Sequence, residues 1–283
     1  MKKVLLTGGS GFIGRNIIPV LSEECELYAP TRKELNLKDQ FQVKEYLKEH
    51  AFDVVIHSAN PNPVKNTLDQ TDTMFEDSLR VFMNLYNCRD LYGKMFFLGS
   101  GAEYDKRYDV ALAKETEVSN TIPEDGYGFA KIIMNDLAKA SDNVYNFRIF
   151  ACYGPTDHES KFITHVIHCC MKKEDITIRQ NCYFDYMHVS DLGKILLLCM
   201  DKQLKYHDYN ICTASRYTLS EIAEMVKEEM GAESNITIMT PGMNKEYTGD
   251  NSRLLEEIGA FEFMSLRRGI QIQIESETKN ENC

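Results

Sequence analysis

Thr7-Gly8-Gly9-Ser10-Gly11-Phe12-Ile13-Gly14 stands between the apolar run Val4-Leu5-Leu6 and a stretch from Arg15 to Leu21 with helical character. A buried strand, a glycine turn and a helix in that order place the helix N-terminus where an anion can meet backbone N–H groups. Glycine at 8 allows a tight turn, glycine at 11 lets backbone approach a pyrophosphate, and glycine at 14 lets helix and strand pack closely. Such a pattern predicts a dinucleotide phosphate site built from Gly8, Gly11, Phe12, Ile13 and Gly14.

The rhythm around the turn agrees. Val54-Val55-Ile56 and Met95-Phe96-Phe97-Leu98 are short apolar runs, and Gln40 to His50 and Met74 to Tyr92 carry apolar residues at three- and four-residue steps. Strands alternating with amphipathic helices predict a parallel sheet with helices on both faces. A further strand is expected at Val144 to Ile149, and the pattern loosens after Tyr153-Gly154-Pro155. The reading therefore divides the chain into residues 1–155 and a mainly substrate-binding lobe over 156–283. Asp191 to Met200 and Tyr209-Asn210-Ile211, within 191–212, are expected to return to the first lobe. The polar tail Glu275 to Cys283 is expected to fray.

Composition narrows the partners. The chain has 283 residues, 43% of them hydrophobic, and a formal net charge of -11. That balance argues against a nucleic-acid or anionic-membrane surface, which clustered Lys and Arg would draw. Nine cysteines occur without a CxxC pair or zinc spacing, so no metal site is expected and the thiols read as buried in a reducing compartment. The apolar run after Lys2-Lys3 is too short for a signal-peptide core, and no stretch approaches the roughly 18 apolar residues of a membrane span. A cytoplasmic protein is the expectation.

Cofactor type should be decided after the second expected strand, Glu26-Leu27-Tyr28-Ala29. An Asp or Glu there would serve ribose hydroxyls, whereas a cation suits a 2′-phosphate. The chain reads Pro30-Thr31-Arg32-Lys33, which leans towards NADP through Arg32, with NAD kept open by Glu34.

Chemistry is carried further on. In Gly126-Tyr127-Gly128-Phe129-Ala130-Lys131 the Tyr and Lys lie about one helical turn apart on one face. A phenol of ordinary pKa near 10 is a poor base at neutral pH, so a neighbouring ammonium is expected to lower it. Ser100 follows the strand at Met95 to Leu98, at the carboxyl edge where such sheets bind ligands.

With the glycine turn, Ser100 and the Tyr127/Lys131 pair in this order, the sequence resembles the extended short-chain dehydrogenases of the NAD-dependent epimerase/dehydratase family. The resemblance also rests on Asp53 to Ala59, Arg148-Ile149-Phe150 through Tyr153-Gly154-Pro155, His188-Val189-Ser190-Asp191-Leu192, Tyr209-Asn210-Ile211 and Leu254 through Gly259. It implies a doubly wound (Rossmann) α/β fold with a smaller C-terminal α/β lobe, binding a dinucleotide in the first lobe and a nucleotide-sugar between lobes. It assigns Tyr127 as acid/base, Lys131 to the nicotinamide ribose, Ser100 to the reacting oxygen, and Ser58 and Ala59 to the cofactor. Family members often form homodimers through helices like Met74 to Tyr92.

Thr31 to Leu37 looks most like the GDP-fucose synthase branch, which adds Asn36 and Leu37 to the cofactor site and His165 to the substrate site. Ala102 departs from that branch, which has an acid/base cysteine there, and also from 4,6-dehydratases, which carry Asp-Glu where Gly101-Ala102 stand. Ser78 and Ala151 replace usual Asn residues, and Phe184 replaces an Arg that commonly contacts the nucleotide. The sequence therefore leads to an NADP-dependent 4-keto-sugar reductase, with an NAD-dependent 4-epimerase and a non-catalytic dinucleotide sensor as alternatives.

Overall fold

The computed structural model of the chain describes residues 1–61 and 71–281. Strands β1 (Lys2–Thr7), β2 (Cys25–Tyr28), β3 (Val54–His57) and β4 (Lys94–Ser100) alternate with helices α1 (Phe12–Glu24), α2 (Gln40–His50) and α3 (Thr71–Tyr86). After β5 (Val110–Ala113) come α4 (Gly126–Lys139), β6 (Val144–Ile149) and β7 (Ala151–Tyr153). The remaining elements are α5 (Phe162–Lys172), β8 (Ile176–Asn181), β9 (Tyr183–Phe184), β10 (Tyr186–His188), α6 (Val189–Met200) and β11 (Asp208–Ile211). They end with β12 (Tyr217–Thr218), α7 (Leu219–Met230), β13 (Ile236–Met243), β14 (Tyr247–Gly249), α8 (Ser252–Ile258) and α9 (Leu266–Glu281).

The main sheet runs β11-β6-β4-β3-β1-β2, and every pairing in it is parallel. Alternate residues of β1 explain why both faces must be covered. Val4 and Leu6 enter a core with Ile17 and Leu21 of α1 and Leu192 and Ile195 of α6, whereas Leu5 enters another with Val43 of α2, Phe82 of α3 and Met134 of α4. Helices therefore lie on both sides of a doubly wound α/β sheet. The chain moves outward from β1 to β2, then crosses to place β3 on the other flank of β1. The crevice at the carboxyl ends of β1 and β3 is the topological switch point of this order, where ligands bind in such sheets.

Strand β11 pairs with β6 in the register Tyr209↔Phe147, which brings a late segment back to the sheet. Conversely, β5 leaves the first half of the chain to join the small sheet β12-β9-β14-β5. Helices α5, α7 and α9 pack around a third core containing Val166, Ile167, Ile222, Val226 and Ile270.

Two expected elements differ. The helix placed at Met74 to Tyr92 begins at Thr71 and ends at Tyr86, followed by a separate short 3-10 turn at Arg89–Leu91. The tail expected to fray is helical to Glu281, and polar residues on α9 find partners on α5. Gln273 Nε2 donates to Thr164 Oγ1 at 2.8 Å, and Glu277 pairs with His168 at 3.0 Å. The eight described cysteines are free thiols, seven of them buried, and Cys283 lies outside the described residues. No described helix is long and apolar enough to cross a membrane.

A polar cluster sits inside this frame. Arg148 on β6 and Glu103, just beyond β4, have fully buried side chains and meet at 2.7 Å. Glu103 also accepts from Asn146 Nδ2 at 2.9 Å and from the Ser100 N–H at 3.1 Å. Removing one member of a buried pair strands the other charge. Glu103→Ala is expected to lower unfolding free energy by about 3–5 kcal/mol in urea titration. Loss of the exposed Arg80–Glu76 pair through Arg80→Ala should change it by less than about 1 kcal/mol.

Candidate active site

A cleft of about 810 Å³ opens over the carboxyl ends of the sheet. Gly8 has φ +76°, a left-handed conformation that side chains resist, and a Cβ there would lie 2.7 Å from the Ala59 nitrogen. At Gly14 a Cβ would lie 2.3 Å from the Gly8 carbonyl oxygen, so α1 rests directly on the turn. At Gly11 the only atom of the described residues that such a Cβ would approach is the Gly8 carbonyl oxygen, at 3.3 Å, and Gly11 lines the cleft. The three glycines thus have three separate causes, and the surface at Gly11 is open to a ligand. Phe12 and Ile13 line the cleft beside it.

The ends of β1 and β3 are tied by polar contacts. Thr7 Oγ1 and His57 Nδ1 are 2.9 Å apart, and the Ala59 N–H reaches Thr7 Oγ1 at 3.3 Å. Burial, helped by the Lys131 charge, pushes His57 down to about 3 and keeps it neutral. Ser58 and Ala59 are thereby fixed in the cleft wall next to the glycine turn.

Beyond β2, Arg32, Asn36 and Leu37 line the cleft. Glu34 does not. Its carboxylate accepts from the Thr31 N–H at 2.7 Å, a bond that lowers its pKa and commits it to its own turn. The acid that kept NAD open in the sequence thus accepts within its own turn and lies off the cleft, whereas Arg32 is one of the cleft's lining residues.

Ser100, Tyr127 and Lys131 all line the same cleft. Two features of α4 bring them together. Asp125 caps the helix by accepting from the Gly128 N–H at 2.9 Å. A Cβ at Gly128 would fall 2.4 Å from the Ala102 carbonyl oxygen, so only the bare glycine lets α4 press against the turn after Ser100. That turn is held by a capping box, in which Ser100 Oγ accepts from the Ala102 N–H at 3.1 Å and Glu103 accepts from the Ser100 N–H.

The electrostatics correct one expectation. Lys131 donates to the Leu98 carbonyl at 2.7 Å and lies 5.6 Å from the Tyr127 ring centroid. Burial pulls Lys131 down to about 8, with Glu103 opposing. Tyr127 is not lowered: burial pushes it up to about 12, against a hydrogen bond with Ser100. The phenol is therefore held protonated and poised to donate.

His165 falls outside this group. It is exposed on α5, its Nε2 lies 3.6 Å from Cys169 Sγ, and it does not line the cleft. Glu103 is no substitute for a dehydratase acid, since its oxygens are taken by Arg148, Asn146 and Ser100. Ala102 lines the cleft as an apolar wall. Phe184 also lines it and stacks on Tyr186 with centroids 5.6 Å apart.

Several lining residues were missed in the sequence. Asp157, raised by burial to about 6, stands two residues after Tyr153-Gly154-Pro155 and could have been noticed there. Tyr186 and Tyr247 come from the late strands β10 and β14, where nothing in the sequence singled them out.

A parallel doubly wound sheet with a glycine-turn phosphate cradle and a Ser/Tyr/Lys set at its carboxyl edge defines a dinucleotide-dependent oxidoreductase. The family model described as NAD dependent epimerase/dehydratase family matches residues 4–212, and the chain belongs to that family. It is an NAD(P)-dependent enzyme of the oxidoreductase/epimerase type. The chain is 23% identical to GDP-L-colitose synthase of Yersinia pseudotuberculosis over 95% of each protein. In fold it is similar to a GDP-L-fucose synthetase from Naegleria fowleri bound to NADP, with TM-score 0.87 and 16% identity over 99% of this chain and 94% of that one. It is likewise similar to the GDP-mannoheptose C4 reductase of Campylobacter jejuni with NADP bound, with TM-score 0.83 and 20% identity over 98% of each.

The open surface at Gly11 gives a direct test of the cradle. Gly11→Val occupies the ligand's space, with its Cβ 3.3 Å from the Gly8 carbonyl oxygen, so NADPH binding by calorimetry should be lost while circular dichroism still shows a folded protein.

Proposed function

We propose that the protein is an NADP-dependent reductase of a nucleotide-linked 4-keto sugar. The observation that carries this reading is the convergence of Ser100, Tyr127 and Lys131 in one cleft, with the apolar Ala102 at the position where the epimerising and dehydrating branches carry an acid/base group. Reduction of a ketone to an alcohol needs one proton on oxygen and one hydride on carbon, whereas double epimerisation or dehydration needs a further acid/base pair. The relatives support carbon 4 as the reacting position, since a C4 reductase shares the fold and was found with NADP bound. The cradle fits a dinucleotide on this chain's own geometry, with bare backbone at Gly11 and the Arg32 guanidinium on the same cleft.

When bound, the dinucleotide supplies the hydride. The protein's residues do the rest. Ser100 holds the carbonyl oxygen by a hydrogen bond, and Tyr127, kept protonated by burial, transfers its proton to that oxygen as the carbon is reduced. Lys131, held by its bond to the Leu98 carbonyl, is placed to bind the nicotinamide ribose. Arg32 is placed to pair with the adenosine 2′-phosphate through its guanidinium fork. The aromatic wall of Phe184 and Tyr186 gives the nucleotide-sugar a planar surface in place of the usual Arg.

Three outcomes check this. Arg32→Ala should weaken NADPH much more than NADH in calorimetric titration, and equal weakening would remove Arg32 from the 2′-phosphate. Tyr127→Phe should retain NADPH affinity and lose about a hundredfold or more in turnover of a nucleotide 4-keto sugar, followed by nicotinamide absorbance. Wild-type turnover should fall as pH rises through about 8, where Lys131 loses its proton, and not near the about 12 of Tyr127. Unchanged turnover in Tyr127→Phe would refute the mechanism.

A further inference from the structure

A buried carboxylate stands in the cleft wall with no part in the proton transfer. Asp157 lines the cleft and is 8% exposed. Its Oδ1 accepts from the His158 N–H at 2.8 Å, and among the described residues no hydrogen bond or ion pair reaches Oδ2. A carboxylate oxygen withdrawn from water without a partner costs free energy, so one left open towards a cleft calls for a donor carried by the ligand.

The turn that carries Asp157 fixes it there. Gly154 has φ +151°, and a Cβ at that position would lie 2.8 Å from Val189 Cγ1. The Pro155 carbonyl accepts from Asn16 Nδ2 of α1 at 2.9 Å. Thr156 then adopts φ +64°, a left-handed conformation that β-branched residues resist. The Asp157 N–H closes the turn on the Gly154 carbonyl at 3.2 Å. Such strain persists only where the surroundings impose it, and it clusters where ligands are held.

Charge and place select the ligand. The titratable and charged groups around Asp157 are His158 and Lys161 of its own segment, Cys152 of β7, Tyr186 of β10 and Glu277 of α9. Burial raises the carboxyl to about 6, against the His158 N–H and Lys161 and with the help of Glu277, so at neutral pH it is an anionic acceptor. An anion repels phosphate and suits a neutral hydroxyl. Tyr186, which this charge reaches, stacks on Phe184, and Phe184 lies 5.4 Å from the ring of Tyr247, which lines the cleft with Ser100. Asp157 therefore stands at the far end of an aromatic wall that begins beside the reacting groups.

We propose that Asp157 is a substrate-specificity residue whose Oδ2 accepts a hydroxyl of the sugar and so selects a sugar bearing that hydroxyl over its deoxy analogue. The inference rests on the nucleotide-sugar reading of the cleft.

The test uses the full chain and two independent readouts. With a nucleotide 4-keto sugar, Asp157→Asn should raise KM about tenfold or more, as for one lost hydrogen bond to a charged group, with kcat and NADPH affinity within about twofold. Wild-type KM should rise as pH falls through about 6, where the carboxylate gains a proton and ceases to accept, and Asp157→Asn should show no such limb. The second readout needs no turnover. Aspartate is labelled with 13C at Cγ, the Asp157 resonance is identified by its loss in Asp157→Asn, and the NADP+-loaded protein is titrated alone and with GDP-mannose or UDP-glucose. A hydroxyl donating to the carboxylate favours its charged form, so the midpoint should stay at about 6 with NADP+ alone and fall to about 5 or below with the nucleotide-sugar. A midpoint unmoved by a bound nucleotide-sugar, one already lowered by NADP+ alone, or an unchanged KM and pH limb in Asp157→Asn would overturn the proposal. A midpoint lowered by the nucleotide-sugar in a protein that reduces no nucleotide 4-keto sugar would uphold the subsite and refute the reductase reading. Binding of neither nucleotide-sugar would overturn both.

Discussion

Glu103 has no exposed surface, and what it binds bears on the position of Ser100. Its carboxylate joins the Ser100 N–H, Asn146 of β6 and Arg148 of the same strand, so the turn after β4 is fastened to its neighbour in the sheet. Arg148 in turn reaches Asn210 and Asp208 of β11. The reacting groups thus stand on a buried ionic cluster spanning three adjacent strands. Breaking such a cluster is costly, since in a low-dielectric interior the surviving charge has no water to turn to. The arrangement also explains why Glu103, one position from a dehydratase acid, is structural in this chain.

What could be read from sequence was what is contiguous. The turn from Thr7 to Gly14, the strand before Ser100 and the Tyr127/Lys131 spacing each lie on one local element, and local periodicity places them. The bounds Gln40 to His50 and Val144 to Ile149 were legible for the same reason. Gly128 could not be read, because its role depends on the Ala102 carbonyl of a different element. Tyr247 is further removed still, brought to Ser100 by a sheet that pairs β14 with β5 and β9.

The differences from expectation have equally local causes. His165 was carried over by resemblance, yet the buried positions Ile163, Val166, Ile167 and Cys170 set the inward face of α5 and leave 165 outside it. The tail was misread because Gln273 and Glu277 look like solvent residues in sequence. Their partners, Thr164 and His168, sit about a hundred residues earlier on α5, and no periodicity could announce them. The expected lowering of Tyr127 failed because a one-turn spacing fixes neighbourhood but not contact. Lys131 spends its short bond on the Leu98 carbonyl, and burial then dominates the phenol.

A protonated Tyr127 beside an apolar Ala102 suits net reduction, and the cofactor's fate distinguishes that from epimerisation through a transient ketone. The most direct measurement follows deuterium from stereospecifically 4-deuterated NADPH into a nucleotide 4-keto sugar by NMR. The account predicts stoichiometric oxidation of NADPH with the label on carbon 4 of the product. Interconversion of two 4-hydroxy sugars without net cofactor oxidation would contradict it.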